Sequence, residues 1–130
     1  MPMKREGFGS DGMTTMRNIV FVMLGVAVLV FKRQYSGPCE AVIDAYAGNV
    51  AASFAVYFNA RFVPLHSRYK RLWAAGLALT AVELFEVFDG FGIMTNVYDS
   101  IDLVANAVGV IIALVVDAAL SLHRVKCNGK

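Results

Sequence analysis

Residues 103–122, LVANAVGVIIALVVDAALSL, form twenty consecutive positions interrupted only by one amide, one acid and one hydroxyl. At 1.5 Å per residue a helix of this length reaches ~30 Å, the thickness of a bilayer's hydrocarbon core. Such a run either spans lipid or lies deep inside a large protein. With 130 residues and 58% hydrophobic content, the second option fails. A chain this short has too little interior to hide that much apolar surface, and soluble domains carry only about 45–50%. The surplus must face lipid.

Three further apolar segments precede this one. Asn18–Phe31, NIVFVMLGVAVLVF, lies between Arg17 and Lys32–Arg33. Its fourteen residues are short for a span, but flanking cations extend its reach by snorkelling. No small-residue cleavage site follows Phe31, so it is expected as an uncleaved first span rather than a signal peptide. A second segment runs from Glu40 to Val63, with Pro38 just before it, and a third from Leu72 to Phe88, stopping at Asp89-Gly90-Phe91-Gly92. Period-two alternation and hairpin turns are missing. The expected fold is all-α, an integral membrane four-helix bundle. Residues 1–16 are expected as a flexible tail, 17–124 as the four-span domain and 125–130 as a short C-terminal tail.

The distribution of cations sets the expected orientation. With four spans, Lys4, Arg5, Arg17, Arg61, Arg68, Lys70, Arg71, Arg124, Lys126 and Lys130 fall on one side, and only Lys32 and Arg33 on the other. Positive residues stay in the cytoplasm, so both termini are expected there. The basic loop between spans two and three also attracts anionic lipid headgroups. Tyr46, Tyr57, Phe58, Trp73, Phe88 and Tyr98 fall near span ends, where interfacial anchoring accounts for them.

Ionisable and amide groups inside the spans need a reason, since each acid costs about 2.5–3.5 kcal/mol at mid-membrane. Glu83 and Glu86 share a helical face, and Glu83 lies twelve residues beyond Arg71, ~18 Å toward the outer surface. Asp102 and Asn106 share a face of the fourth span, and Asp44 and Asn49 begin the second. Antiparallel neighbours would gather these six residues into an outward-facing acidic and amide pocket. Gly48, Ala52, Gly76 and Gly109 are the expected close-packing positions between helices. Asp117 lies apart, two turns from Arg124, and a structural pairing is expected for it.

Neither a catalytic triad, nor a metal-ligand spacing, nor a phosphate-binding glycine loop occurs. No catalytic residue, metal or cofactor is therefore expected. Net charge is only +2, and membrane lipids rather than nucleic acid are the expected partners, with a homo-oligomer or a larger membrane complex as further assemblies.

The stretch AVELFEVFDG followed by YDSIDLVANAVGVIIAL resembles the third and fourth helices of the VanZ-like family of small membrane proteins. That family carries Glu-x-x-Gln on one helix and Asp-x-x-x-Asn-x-x-Gly at the start of the next. Glu83 matches the first motif, and Asp102, Asn106 and Gly109 match the second. AYAGNVAASFAVYF is similar to the second span of a related uncharacterised family, which opens on Gly-Asp; Gly48 matches there. The family glutamine is Glu86 here, the Gly-Asp aspartate is Asn49, and the arginine often found between the last two helices is missing. The resemblance implies a cell-envelope role in a bacterial inner membrane, with an envelope lipid or glycopeptide-related ligand at the pocket. An accessory subunit of a membrane complex and a small proton- or cation-coupled carrier are the rival functions.

The orientation has a direct test. Cys39, near the start of the second span, is expected to react with a membrane-impermeant maleimide in intact cells, and Cys127 only after the cells are opened. The reverse pattern would invert the topology.

Overall fold

The computed structural model describes residues 8–88 and 99–128. The described residues form four α-helices: α1 (Phe8–Phe31), α2 (Glu40–Ala60), α3 (Lys70–Val87) and α4 (Ser100–Asn128). A single 3-10 turn, Lys32–Gln34, follows α1. The expected stop at Asp89–Gly92, Tyr98, and the cations Lys4, Arg5 and Lys130 lie outside the described residues.

Three helix boundaries differ from expectation. The helix of the first span begins at Phe8, not at Asn18, so residues 8–16 are helical. Arg17 resembles a flank in the sequence, yet its side chain is only 16% exposed and turns inward to Asp117. With that charge neutralised the apolar stretch continues from Gly12 to Gln34, long enough to cross a bilayer without help from snorkelling. At the other terminus α4 continues through Asn128, so most of the expected C-terminal tail is helical. The second helix ends at Ala60 rather than Val63. Arg61, Phe62 and Val63 unwind in successive turns, their amides reaching Tyr57, Asn59 and Ala60 carbonyls, ahead of Pro64, whose ring disfavours helix in the residue before it.

The chain runs up, down, up, down: Arg17 near the start of α1, Tyr57 near the end of α2, Arg71 at the start of α3 and Asp117 toward the end of α4 come together. α2 is the central helix, packed against each of the other three, whereas among the described residues α1 has close backbone neighbours only on α2 and its 3-10 extension. Small residues make this possible. A Cβ on Gly25 of α1 would meet the Ala51 carbonyl at 2.8 Å and the Ala55 methyl at 2.9 Å. A Cβ on Gly109 of α4 would collide with the Ser53 hydroxyl and the Val50 carbonyl. Helices that touch through backbone and small side chains gain dispersion contacts that lipid cannot offer.

Below this seam lies the core of Tyr57, Phe58, Ala74, Ala78, Val110 and Ala113. Phe21 of α1 stacks on Phe58 with centroids 4.7 Å apart, and Phe54 tilts against Phe58 at 5.1 Å. Tyr57 and Phe58 are therefore core residues and not interfacial anchors, a correction to the sequence expectation. α3 also turns a different face inward. Gly76 is exposed, and a Cβ there would meet nothing within 4 Å; Ala74, Ala78 and Val82, four residues apart, make the contact instead. Gly76 thus takes no part in packing within the chain.

The outer surface is apolar. Met23, Leu24, Val104, Ile111 and Val115 are all exposed. Three helices, α1, α2 and α4, are long and apolar enough to cross a membrane. α3, with 18 residues and the charges Lys70, Arg71, Glu83 and Glu86, is not among them.

The glycine contacts generate a paired expectation. Gly109→Ala should destabilise the bundle by about 1–3 kcal/mol, the usual cost of overpacking a tight contact. Gly76→Ala should leave stability unchanged or slightly raised, since alanine is the better helix former. Unfolding of both variants in mixed micelles checks the contrast.

Candidate functional site

The described residues place polar groups at two opposite ends of the bundle. At one end, the last turn of α1 and the starts of α2 and α4 open around the end of α3 to leave a cleft of about 1490 Å³. Its lining includes the apolar side chains Leu29, Val56, Val82 and Phe85 together with polar ones. Five carboxylates line it (Glu40, Asp44, Glu86, Asp99 and Asp102) against two cations, Lys32 and Arg33. The first turns of α2 and α4 supply Glu40 and Asp102, where the positive ends of the helix dipoles favour them.

Of the six polar residues expected at this pocket, Asp44, Asn49, Glu86, Asp102 and Asn106 line the cleft. Glu83 does not: it is half-buried on α3, one turn inward, and interacts electrostatically with Glu86. Asn49 on α2 interacts with the Asp102 carboxylate on α4. Asn106, one turn deeper, is 2% exposed, and its Nδ2 has no hydrogen-bond partner among the described residues. A buried amide donor without a partner costs about 1–3 kcal/mol, so this group stands ready for an acceptor.

Gly48 and Ala52 do not form a helix-packing pair. Gly48 is buried beneath Lys32, whose Nζ lies 2.8 Å from where a Cβ would sit and donates to the Asp44 carbonyl at 2.7 Å. Ala52 lines the cleft. The glycine makes room for a lysine that crosses from α1 onto α2. Lys32 and Arg33 therefore belong to the site, although in the sequence they signal only the end of a span. No signal short of the α1–α2 packing would have revealed this.

At the opposite end Asp117 is fully buried and holds three arginines. Arg17 Nη2 donates to Oδ1 at 2.6 Å, and the Tyr57 hydroxyl donates to Oδ2 at 2.9 Å. Arg61 Nε and Arg71 Nε lie 3.0 and 3.5 Å from the same Oδ2. Each arginine comes from a different element: α1, the turn after α2, and α3. The expected partner, Arg124, bonds Thr14 instead, at 2.9 Å. This centre was partly legible. An acid within an apolar run requires a countercharge, and in an up-and-down bundle Arg17, Arg61 and Arg71 all end on the side of Asp117.

Among the described residues no group of three His, Cys, Asp or Glu side chains is positioned to hold a metal ion. The histidine nearest a thiol, His123, lies 3.7 Å from Cys127 on an exposed turn of α4, away from the cleft. Comparison with protein-family models, with curated proteins and with solved structures finds no match to this chain. The site must be interpreted from its own geometry.

The arginine centre sets a stability expectation. Asp117→Asn keeps the shape but leaves three guanidinium groups without a countercharge, and should cost about 3–5 kcal/mol. Tyr57→Phe removes one hydrogen bond to a charged group and should cost less, about 1.5–3 kcal/mol. Denaturant midpoints of the purified variants give the ranking.

Proposed function

We propose that this chain is a four-span protein of a bacterial inner membrane, with both termini cytoplasmic, whose outward-facing cleft binds an amphiphilic envelope ligand. The cation count across the loops supports the orientation, and the apolar outer surface supports the lipid setting. The observation that carries the ligand reading is Asn106: a buried amide donor without a partner at the wall of a large cleft.

The lining indicates the class of ligand. Carboxylates accept hydrogen bonds or pair with an amine, while Asn106, Lys32 and Arg33 require acceptors. A headgroup that both donates and accepts satisfies the two demands together; sugar hydroxyls or a phosphate linked to an amine would serve. Leu29, Val56, Val82 and Phe85 offer apolar side chains to a hydrocarbon chain. A VanZ-like role in the envelope fits this ligand class, with Asp102 and Asn106 as the residues that touch it and Asn49 positioning Asp102. A subunit role in a larger complex is the second reading, favoured by α1, whose apolar stretch is only 11% buried.

Native mass spectrometry of the protein released from mild detergent tests the ligand reading. The parent should retain an envelope lipid, and Asn106→Ala combined with Asp102→Asn should lose it, with retention falling about tenfold or more and helicity unchanged. Equal retention in both would remove the cleft as the binding site.

A further inference from the structure

The second polar centre has more positive charge than its one carboxylate neutralises. Three guanidinium groups share Asp117, so two positive charges remain over, and the described residues supply no other acid to them. The three contacts are unequal. Arg17 and Arg61 are 16% and 10% exposed and lie within 3.0 Å of Asp117, whereas Arg71 is 39% exposed and 3.5 Å away. The Nε atoms of all three arginines are buried and lack a hydrogen-bond partner, so distance and exposure alone set Arg71 apart. Arg71 is therefore the least neutralised of the three and the one turned toward the outside.

It turns into a depression of about 380 Å³ lined by Arg68, Tyr69, Lys70, Arg71, Leu72 and Leu114. Three of these are cations and none is an acid. The depression lies at the start of α3, which has no side-chain cap and no acidic residue in its first turn. The positive end of the helix dipole thus adds to the three side chains instead of being offset. Two leucines form part of the rim, and Tyr69, Leu72 and Trp73 are exposed beside it, the residue types that settle at a membrane's headgroup level.

We propose that this depression binds a phosphate group, with Arg71 shared between the phosphate and Asp117. The guanidinium fork suits this bridging role, because it can direct different N–H groups to two anions at once. A phosphate there would offset the surplus charge that Asp117 leaves, so occupancy would also tighten the end of the bundle where all four helices meet. The phosphate comes either from an anionic lipid, whose chains would follow the leucine rim, or from a free anion. The proposal rests on the membrane reading only for the first source, and it does not depend on the cleft at the other end.

The test compares the parent with the double variant Arg68→Gln and Lys70→Gln, which spares Arg17, Arg61, Arg71 and Asp117 and so the folded state. Each protein is purified in a neutral detergent, and its thermal unfolding is followed with phosphatidylglycerol, with phosphatidylcholine, or with inorganic phosphate. Phosphatidylglycerol should stabilise the parent where phosphatidylcholine does not, and half-maximal stabilisation of the double variant should need about ten- to thirty-fold more lipid, the loss expected for two headgroup-level cations. Stabilisation of the parent by inorganic phosphate as strongly as by the lipid, again weakened in the variant, assigns the site to a free anion. If neither ligand stabilises the parent, or if both proteins respond alike, the proposal is overturned.

Discussion

One buried carboxylate organises this bundle. Asp117 accepts from Arg17 and Tyr57 and pairs with Arg61 and Arg71, and so joins α1, α2, the turn beyond it, α3 and α4 at one point. Removing a single charge from water is costly, and a lone arginine inside an apolar bundle would be worse. The arrangement is stable because the charges meet each other. Its effect is greatest on α1, whose backbone neighbours among the described residues are confined to α2 and the following turn. Beyond the Arg17–Asp117 contact and the Arg124–Thr14 bond, α1 is held chiefly through α2, by the Gly25 approach and the Phe21 stack.

Fixing one end leaves the other free to open. The small-residue seams at Gly25 and Gly109 hold the middle of the bundle close. Past them, the last turn of α1 and the first turns of α2 and α4 diverge around the cleft. Helix polarity favours the charges on α2 and α4 but opposes those on α3, which opens on Lys70 and Arg71 and carries Glu86 in its last turn. α2 and α4 begin at the cleft with Glu40 and Asp102, and α4 carries Lys126 in its last turn, so these charges complement the dipoles at both ends. The acidic cleft and the arginine centre are two consequences of one alternating topology.

Much of this was present in the sequence, and the failures share a cause. The existence and order of four helices follow from apolar runs separated by charged and proline-containing turns, because period and length are local properties. The carboxylates and amides of the cleft were legible for the same reason: Asp102 and Asn106 are a helical turn apart, and the antiparallel order brings Asn49 and Glu86 toward them. What the sequence hides is the rotation of each helix about its axis. Gly76 and Glu83 share a sequence stripe, but α3 buries the Ala74–Ala78–Val82 face. Tyr57 resembles an interfacial tyrosine until Asp117 is seen to receive its hydroxyl. Arg17 and Lys32 mark the ends of a span in the sequence, and in the folded chain they serve as the partner of a buried acid and as a wall of the cleft.

The seam between α2 and α4 shows how a small bundle separates structural from available polar groups. Ser53 and Asn106 both lie along this seam, and both are buried. Ser53 satisfies its hydroxyl within its own helix, bonding the Asn49 carbonyl at 2.7 Å and the Val50 carbonyl at 3.0 Å. A short side chain can bond back in this way, so the serine lets Gly109 approach and asks nothing of a neighbour. The longer amide of Asn106 stands beside the cleft, and its Nδ2 finds no carbonyl among the described residues. Were Asn106 only a helix clamp, its donor would be spent on α2, as Asn49 on α2 is directed at Asp102 of α4. In the proposed reading, this unspent donor is the group that a ligand in the cleft would satisfy.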